Sequence, residues 1–257
     1  MHRLFHFLLT ATAAALLPCL SWAAGRLPEP LVRFALADDS LANTGTRTLQ
    51  SQPTVASGFT FTDVTDANGV TRRALKSTGN AVTNVDLAAE DIKVSGSTVS
   101  FWTTTTTANW CDAVGVDFLF DPAESARSWM AWERMNEKNM AVYGVTSCEN
   151  IFIGDTGKLH HWAMVGEGTH LSFYFDGRFL GRFDKSDRIK ENSVLAAFGF
   201  GGSATRNAQR GVASTADVRI YGVALTPSQV AFLASGEPIG FCEASLEGEQ
   251  TLDSLTW

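Results

Sequence analysis

Leu171-Ser172-Phe173-Tyr174-Phe175-Asp176-Gly177-Arg178-Phe179-Leu180-Gly181-Arg182-Phe183 reads as a β-hairpin. An Asp-Gly pair stands between two aromatic runs, and glycine accepts the positive φ that a two-residue hairpin loop demands. In the register set by that turn, Phe173 faces Leu180 and Tyr174 faces Phe179. Both faces then carry apolar side chains, which predicts a sheet covered on both sides.

The same grammar continues outward. Upstream, His161 to Gly166 reads as a strand. Further back come Val114 to Phe120, with Val116, Phe118 and Phe120 on one face, and the pair Trp129 to Met135 and Met140 to Val145. Thr98 to Thr107 alternates weakly and ends in a Thr run suited to a pleated surface. Leu31 to Leu36 reads as a first strand, and Asp38 to Thr48 as a polar loop. Downstream, Val194 to Phe200 puts Val194, Ala196, Phe198 and Phe200 on one face, and Asp217 to Tyr221 turns Val218 and Ile220 inward. One helix follows. Thr226 is the N-cap, Pro227 the first helical residue, Gln229 completes a capping box, Leu225 and Val230 form a staple, and Gly236 ends it.

Composition agrees with one β-rich domain. The chain has 257 residues, 45% hydrophobic and 18% charged, with 17 Phe and 22 Gly. That supplies a sizeable core and excludes a disordered chain. A net charge of -7 without basic excess makes nucleic acid and anionic membranes poor partners. Arg3, the apolar run Leu4 to Leu17 and Ser21-Trp22-Ala23 read as a signal peptide over residues 1–23, cleaved after Ala23. The run is short for a membrane span. The expected location is secreted, periplasmic or cell-surface. Export permits a disulfide. With Cys19 removed, Cys111 and Cys148 are the favoured pair, because Cys242 lies beyond the last helix; the alternative is three thiols.

Four segments in order then carry a family resemblance: Thr98-Val99-Ser100-Phe101-Trp102, Lys158-Leu159-His160-His161-Trp162-Ala163-Met164-Val165, Leu171 to Arg178, and Asp217-Val218-Arg219-Ile220-Tyr221-Gly222-Val223-Ala224-Leu225-Thr226. They resemble the laminin G-like jelly roll of the concanavalin A-like lectin/glucanase superfamily. Its pattern is a strand ending in Phe-Trp, a Trp-His-His-apolar-Ala strand, a Tyr-x-Asp-Gly hairpin, and an Asp-x-x-Arg-Ile-Tyr strand leading into a helix. This chain departs from it at Leu159, where Trp is usual, and at Trp162, where Val or Ile is common. The resemblance covers about residues 31–237. It implies an all-β fold of two antiparallel sheets packed as a jelly-roll sandwich with one short C-terminal helix. The domain would span 24–240, with a tail over 241–257. Fold alone implies little chemistry, and members include sugar-binding modules, adhesion domains, spacers and a few glycosidases.

Candidate chemistry is sparse. A glycosidase needs two carboxylates about 5–10 Å apart across the scissile bond, and the compact Glu-x-Asp-x-(x)-Glu strand of the family's glucanases is missing. Glu133 and Glu137 come nearest, with Arg134 and Lys138 as ion partners. His160 and His161 point to opposite strand faces and cannot share a metal. Gly199-Phe200-Gly201-Gly202 precedes no helix, so it is no phosphate loop. Calcium would use Asp38, Asp39 and Asp217, since the opening and closing strands of a jelly roll lie close; the alternative pairs Asp217 with Arg219 or another Arg. Sugar binding would use an exposed ring: Trp110, Trp129 or Trp132, with Asn109, Glu133 and Asn136 beside them. Trp129 and Trp132 have opposite parity, so at most one faces a ligand. Trp102 and Trp162 read as core. The expectation is a non-catalytic module that binds a glycan or glycoprotein. The alternatives are a structural or adhesion domain without a small ligand, and an atypical glycoside hydrolase.

Overall fold

The computed structural model describes residues 27–79, 81–121, 127–185, 187–206 and 210–235. The expected signal peptide, Cys19, Cys242, Gly236 and the tail lie outside them. In chain order the strands are β1 (Val32–Phe34), β2 (Phe59–Thr65), β3 (Thr71–Ser77), β4 (Thr83–Asp86), β5 (Thr98–Thr103), β6 (Asp112–Leu119) and β7 (Arg127–Arg134). They continue with β8 (Asn139–Gly144), β9 (Cys148–Phe152), β10 (His160–Glu167), β11 (His170–Phe175), β12 (Arg178–Asp184), β13 (Val194–Phe200) and β14 (Ser214–Tyr221), before helix α1 (Pro227–Ser235).

Two antiparallel sheets result. The larger runs β12-β11-β10-β5-β14-β3-β2, with β1 beside β14, and the smaller runs β4-β13-β6-β7-β8-β9. The expected jelly-roll sandwich is the fold found. Side chains from both inner faces meet in one core, where Phe101 packs edge-on to Trp132 at 5.0 Å and to Phe198 at 5.6 Å, and Phe173 lies 6.3 Å from Trp132.

The hairpin forms between β11 and β12, and Tyr174 faces Phe179 as expected, but Phe173 faces Gly181 rather than Leu180. A bulge between Phe173 and Tyr174 makes Leu180 the extra residue. A second irregularity in β13, between Leu195 and Ala197, overturns the single-face reading of that strand. Leu195, Phe198 and Phe200 enter the main core, while Val194 and Ala196 cluster with Leu119 on the other side.

The His-His and Asp-Gly segments explain each other. Asp176 has φ 46 in the turn. Its carboxylate accepts from the His161 backbone N–H at 2.9 Å and from His160 Nδ1 at 2.7 Å, pinning the hairpin to β10. His160 Nε2 faces the Asp155 carbonyl at 3.0 Å. Burial pulls the His160 pKa down, yet the hydrogen bond and charge of Asp176 outweigh it and the net shift is upward. His161 is sealed between Ser100 Oγ, at 2.8 Å from Nε2, and the Trp102 ring, and burial lowers its pKa to about 3. The helix forms as its cap predicts: Gln229 Oε1 accepts from the Thr226 N–H at 2.9 Å, and Val230 and Leu233 pack on Tyr174 and Tyr221 over the larger sheet.

Candidate functional site

The outer face of the smaller sheet carries the unusual side chains. Along β6, Val114, Val116 and Phe118 turn into the core, which leaves Asp112, Gly115 and Asp117 facing outward. On β7, Met130 and Trp132 are inward, and Trp129, Ala131 and Glu133 outward. On β8 the outward residues are Ala141 and Tyr143.

A backbone segment, residues 202–206, lies across β6. Gly115 lets it approach, because a Cβ there would meet the Ser203 nitrogen at 2.1 Å, and Gly202, at φ +129, rests on Asp112 in the same way. Asp117 holds the segment by accepting from the Ser203 hydroxyl, from Thr205 Oγ1 at 2.7 Å and from the Thr205 N–H at 3.2 Å. Arg206 then reaches Asp112 Oδ1 and Glu133 Oε2 with the same Nη1, 2.7 Å from each. Its guanidinium also lies 4.5 Å from the Trp129 ring centroid. Both acids are sealed, at 0% and 2% exposure. Burial, opposed by Arg206 and reinforced by Glu133, pushes the Asp112 carboxyl up to about 7.

Beyond this segment the face is open. Trp110, just before β6, is 53% exposed, and its ring lies 6.4 Å from that of Tyr143. It holds a left-handed φ of 59, with its N–H donating to the Arg134 carbonyl at 2.6 Å. A non-glycine residue pays about 1–3 kcal/mol for such backbone, which surrounding structure must over-determine. The Tyr143 hydroxyl bonds Glu149, an interaction that pushes its pKa to about 12. At the sheet edge Phe152 is 66% exposed beside a shallow depression of about 500 Å³ lined by Asn136, Glu137, Lys138 and Asn139.

The structure sorts the expected site residues. Trp110 and Trp129 reach this face. Trp132 does not: its parity turns it into the core, fully buried, which corrects its inclusion. Asn136 is spent on the β7–β8 turn, where Oδ1 accepts from the Lys138 and Asn139 N–H groups at 3.0 Å each. Glu133 pairs with Arg206 rather than Arg134, whose Nε bonds the Asn136 carbonyl instead. Glu137 falls in the turn and stays apart from it. Trp102 and Trp162 are buried, as expected.

The Cys111–Cys148 bridge does not form, and both side chains are thiols. Cys111 leads into β6 and Cys148 opens β9, with β7 and β8 between them. Three strand spacings put their Cα atoms about 14 Å apart, while a disulfide needs less than about 7 Å.

The aspartates expected for calcium do not assemble into a cation site. Asp217 is the hub of an arginine cluster, with Arg33 Nε at 3.2 Å, Arg219 Nε at 3.0 Å and Arg72 Nη1 at 3.9 Å. Burial would raise its carboxyl, but Arg219 and Arg33 hold it below its ordinary value. Asp39 accepts from Arg73 Nε at 2.6 Å, and Asp38 and Asp39 shape a left-handed turn. Guanidinium groups stand where a calcium ion would need about six oxygens. Among the described residues no group of three or more His, Cys, Asp or Glu is placed to hold a metal.

Tyr143, Arg206, Asp112, Asp117 and Phe152 were not found from sequence. Two aspartates within the otherwise apolar run Asp112 to Leu119 were the available signal. Arg206 gives none, since its partners are more than 70 residues away.

A family model described as the concanavalin A-like lectin/glucanases superfamily, of laminin G type, matches residues 78–231. The chain belongs to that superfamily. A search of curated proteins finds no match. Among solved structures, this superfamily member is similar to domain 4 of AbnA, a GH43 extracellular arabinanase from Geobacillus stearothermophilus in complex with arabinotriose. The TM-score is 0.50 with 14% identity, over 80% of this chain and 98% of that one. It is also similar to the binding domain of botulinum neurotoxin serotype D (0.54, 14%), and to a sialidase of Trypanosoma rangeli (0.53, 14%). The chain covers 81% of itself but 51% of the toxin chain, and 72% of itself but 34% of the sialidase chain. At such identities the likeness is one of fold. Among the described residues no helix is long and apolar enough to cross a membrane.

Proposed function

We propose that this superfamily member is an exported, non-catalytic module that recognises a glycan or glycoprotein through the outer face of β6 to β9. The observation that carries the reading is Trp110. It is a large ring, 53% exposed on left-handed backbone, beside Tyr143. Stacking on an aromatic face with hydrogen bonds from planar polar groups is the chemistry a sugar ring offers. The arabinotriose complex of the arabinanase domain supports a saccharide ligand for this fold, and the toxin binding domain supports a binding role.

Hydrolysis is disfavoured. Asp112 and Glu133 share one nitrogen, which keeps them at or inside the short end of the about 5–10 Å separation that glycosidases use. Both are buried and already bound to Arg206, so neither reaches a scissile bond. The exposed Phe152 and Phe179 favour, as a second reading, an adhesion domain that meets another protein.

The test is a glycan array with wild type and Trp110→Ala, each with and without EDTA. We expect wild-type binding that EDTA leaves intact and that Trp110→Ala weakens at least about tenfold, or roughly 1.4 kcal/mol. An array with no wild-type signal in either condition removes the glycan reading and leaves the adhesion one.

A further inference from the structure

We propose that segment 202–206 is a proton-held latch on the binding face: while the Asp112–Glu133 pair carries a proton, Arg206 stays seated on Trp129, and loss of that proton loosens the segment and uncovers the ring. The functional meaning rests on the reading that this face binds the ligand. The latch itself is a property of the chain alone.

The geometry is that of two acids with too few donors. Asp112 and Glu133 are cross-strand partners on one face, and each takes one bond from the same Arg206 nitrogen. Asp112 Oδ2 is buried under Gly202 and meets no donor among the described residues. An ionised oxygen sealed without a donor is strongly disfavoured. A proton removes the charge and lets the acid donate to Glu133. Arg206, the guanidinium hydrogen-bonded to the pair among the described residues, then faces one anion. Loss of the proton leaves two carboxylates side by side, and release of the segment is what lets water reach them.

The surrounding charges set the balance. Asp112 faces Glu133 from β7, Arg206 from the covering segment and Arg210 from beyond it. Asp117 stands outward on its own strand and holds Ser203 and Thr205. The adjoining Cys111 thiol is raised by burial and by both acids. Tyr143 on β8 feels Glu149 from β9 first, and Glu133 and Arg206 less.

The closed state raises the Asp112 pKa from 3.8 to about 7. A raised carboxyl gives stabilisation that is complete below the ordinary value and lost as pH rises through the closed-state value. The closed form therefore loses up to about a thousandfold of its advantage between pH 4 and pH 7. Acid holds the latch shut and mild alkali loosens it.

Acrylamide quenching of tryptophan emission tests this without any ligand. The Trp129 contribution is taken as the difference between wild type and Trp129→Phe, at about pH 5 and about pH 9. We expect Trp129 quenching to rise with pH, with a midpoint near neutrality. Asp112→Asn should stay low at both, because an amide accepts from Arg206 and donates to Glu133 as the protonated acid does. A flat wild-type profile, or an unchanged rise in Asp112→Asn, overturns the latch. Should either variant fail to fold, amide exchange in the wild type decides. Thr205 and Arg206, relative to β6 amides, should lose protection above neutral pH, and constant relative protection overturns the proposal. A silent glycan array alongside a pH-dependent latch would remove the glycan reading and leave this inference standing.

Discussion

The two outer faces of the sandwich are built from similar materials and closed in different ways. On the larger sheet, α1 covers Tyr174 and Tyr221, and the polar groups beside it pair with one another, save His161 Nδ1, which meets no partner among the described residues. His161 bonds Ser100, Arg72 lies 3.9 Å over Trp102, and Asp217 gathers three arginines. On the smaller sheet Ala88 packs over Val194, Ala196 and Leu119 at one end, while over β6 the cover is segment 202–206, anchored by carboxylates rather than by apolar packing. It stops short of Trp110, Tyr143 and Phe152. Apolar cover is indifferent to pH, while a cover held by charge depends on every proton beneath it. The first face is thus closed mainly by packing, and over β6 the second is closed by charge.

The strongest way to break this division is through Trp132, the ring that rivals Trp110 when the chain is read without its fold. Trp132 is buried between the sheets against Phe101 and Phe173. Trp132→Ala should lower stability by about 3–5 kcal/mol in urea denaturation. A loss below about 1 kcal/mol would mean that the core does not depend on Trp132, and the separation of core from face would fail.

The arginine hub gives the next largest effect. Asp217→Asn keeps the shape and tolerates the left-handed φ of 41, since Asn visits that region, but removes the anion from among Arg33, Arg72 and Arg219. We expect a loss of about 2 kcal/mol, moderated because Arg33 stands partly in water. The folded-state pKa of Asp217 is depressed, so its stabilisation is present above the ordinary carboxylate value and is lost as pH falls through the lower one. Calcium or EDTA should leave the wild-type Tm unchanged. A calcium-dependent rise in Tm would show a metal where the hub leaves no room for one.

What could be read in advance was local. The Asp176-Gly177 turn, the Thr226 cap with Gln229, and the inward Val218 and Ile220 depend on neighbours within a few residues, and they stand as read. The register at Leu180 and the faces of Val194 and Ala196 failed because one bulged residue inverts parity and leaves no mark in composition. The Cys111–Cys148 pairing failed because strand order, not position in the chain, sets lateral distance. The site was half legible. Opposite parity allowed at most one of Trp129 and Trp132 to face outward, and the inward one could only be removed once the inner face was known. Arg206 was out of reach, since loop 202–206 gains its meaning only from Gly115 and Asp117 beneath it.

The smallest effect on stability should come from Trp110, on which the proposed binding most depends. Trp110 holds φ 59, a region where glycine carries no penalty. Trp110→Gly should therefore relieve backbone strain of about 1 kcal/mol and lose only the ring's modest contact with Tyr143. The two nearly cancel, and the urea midpoint should move little. Glycan binding should be lost. Retained stability with lost binding assigns the ring to ligand, because a packing residue cannot be deleted without loss of the fold that it packs. A drop in stability comparable to that of Trp132→Ala would make Trp110 part of the structure. The open face would then be only the outer skin of the core.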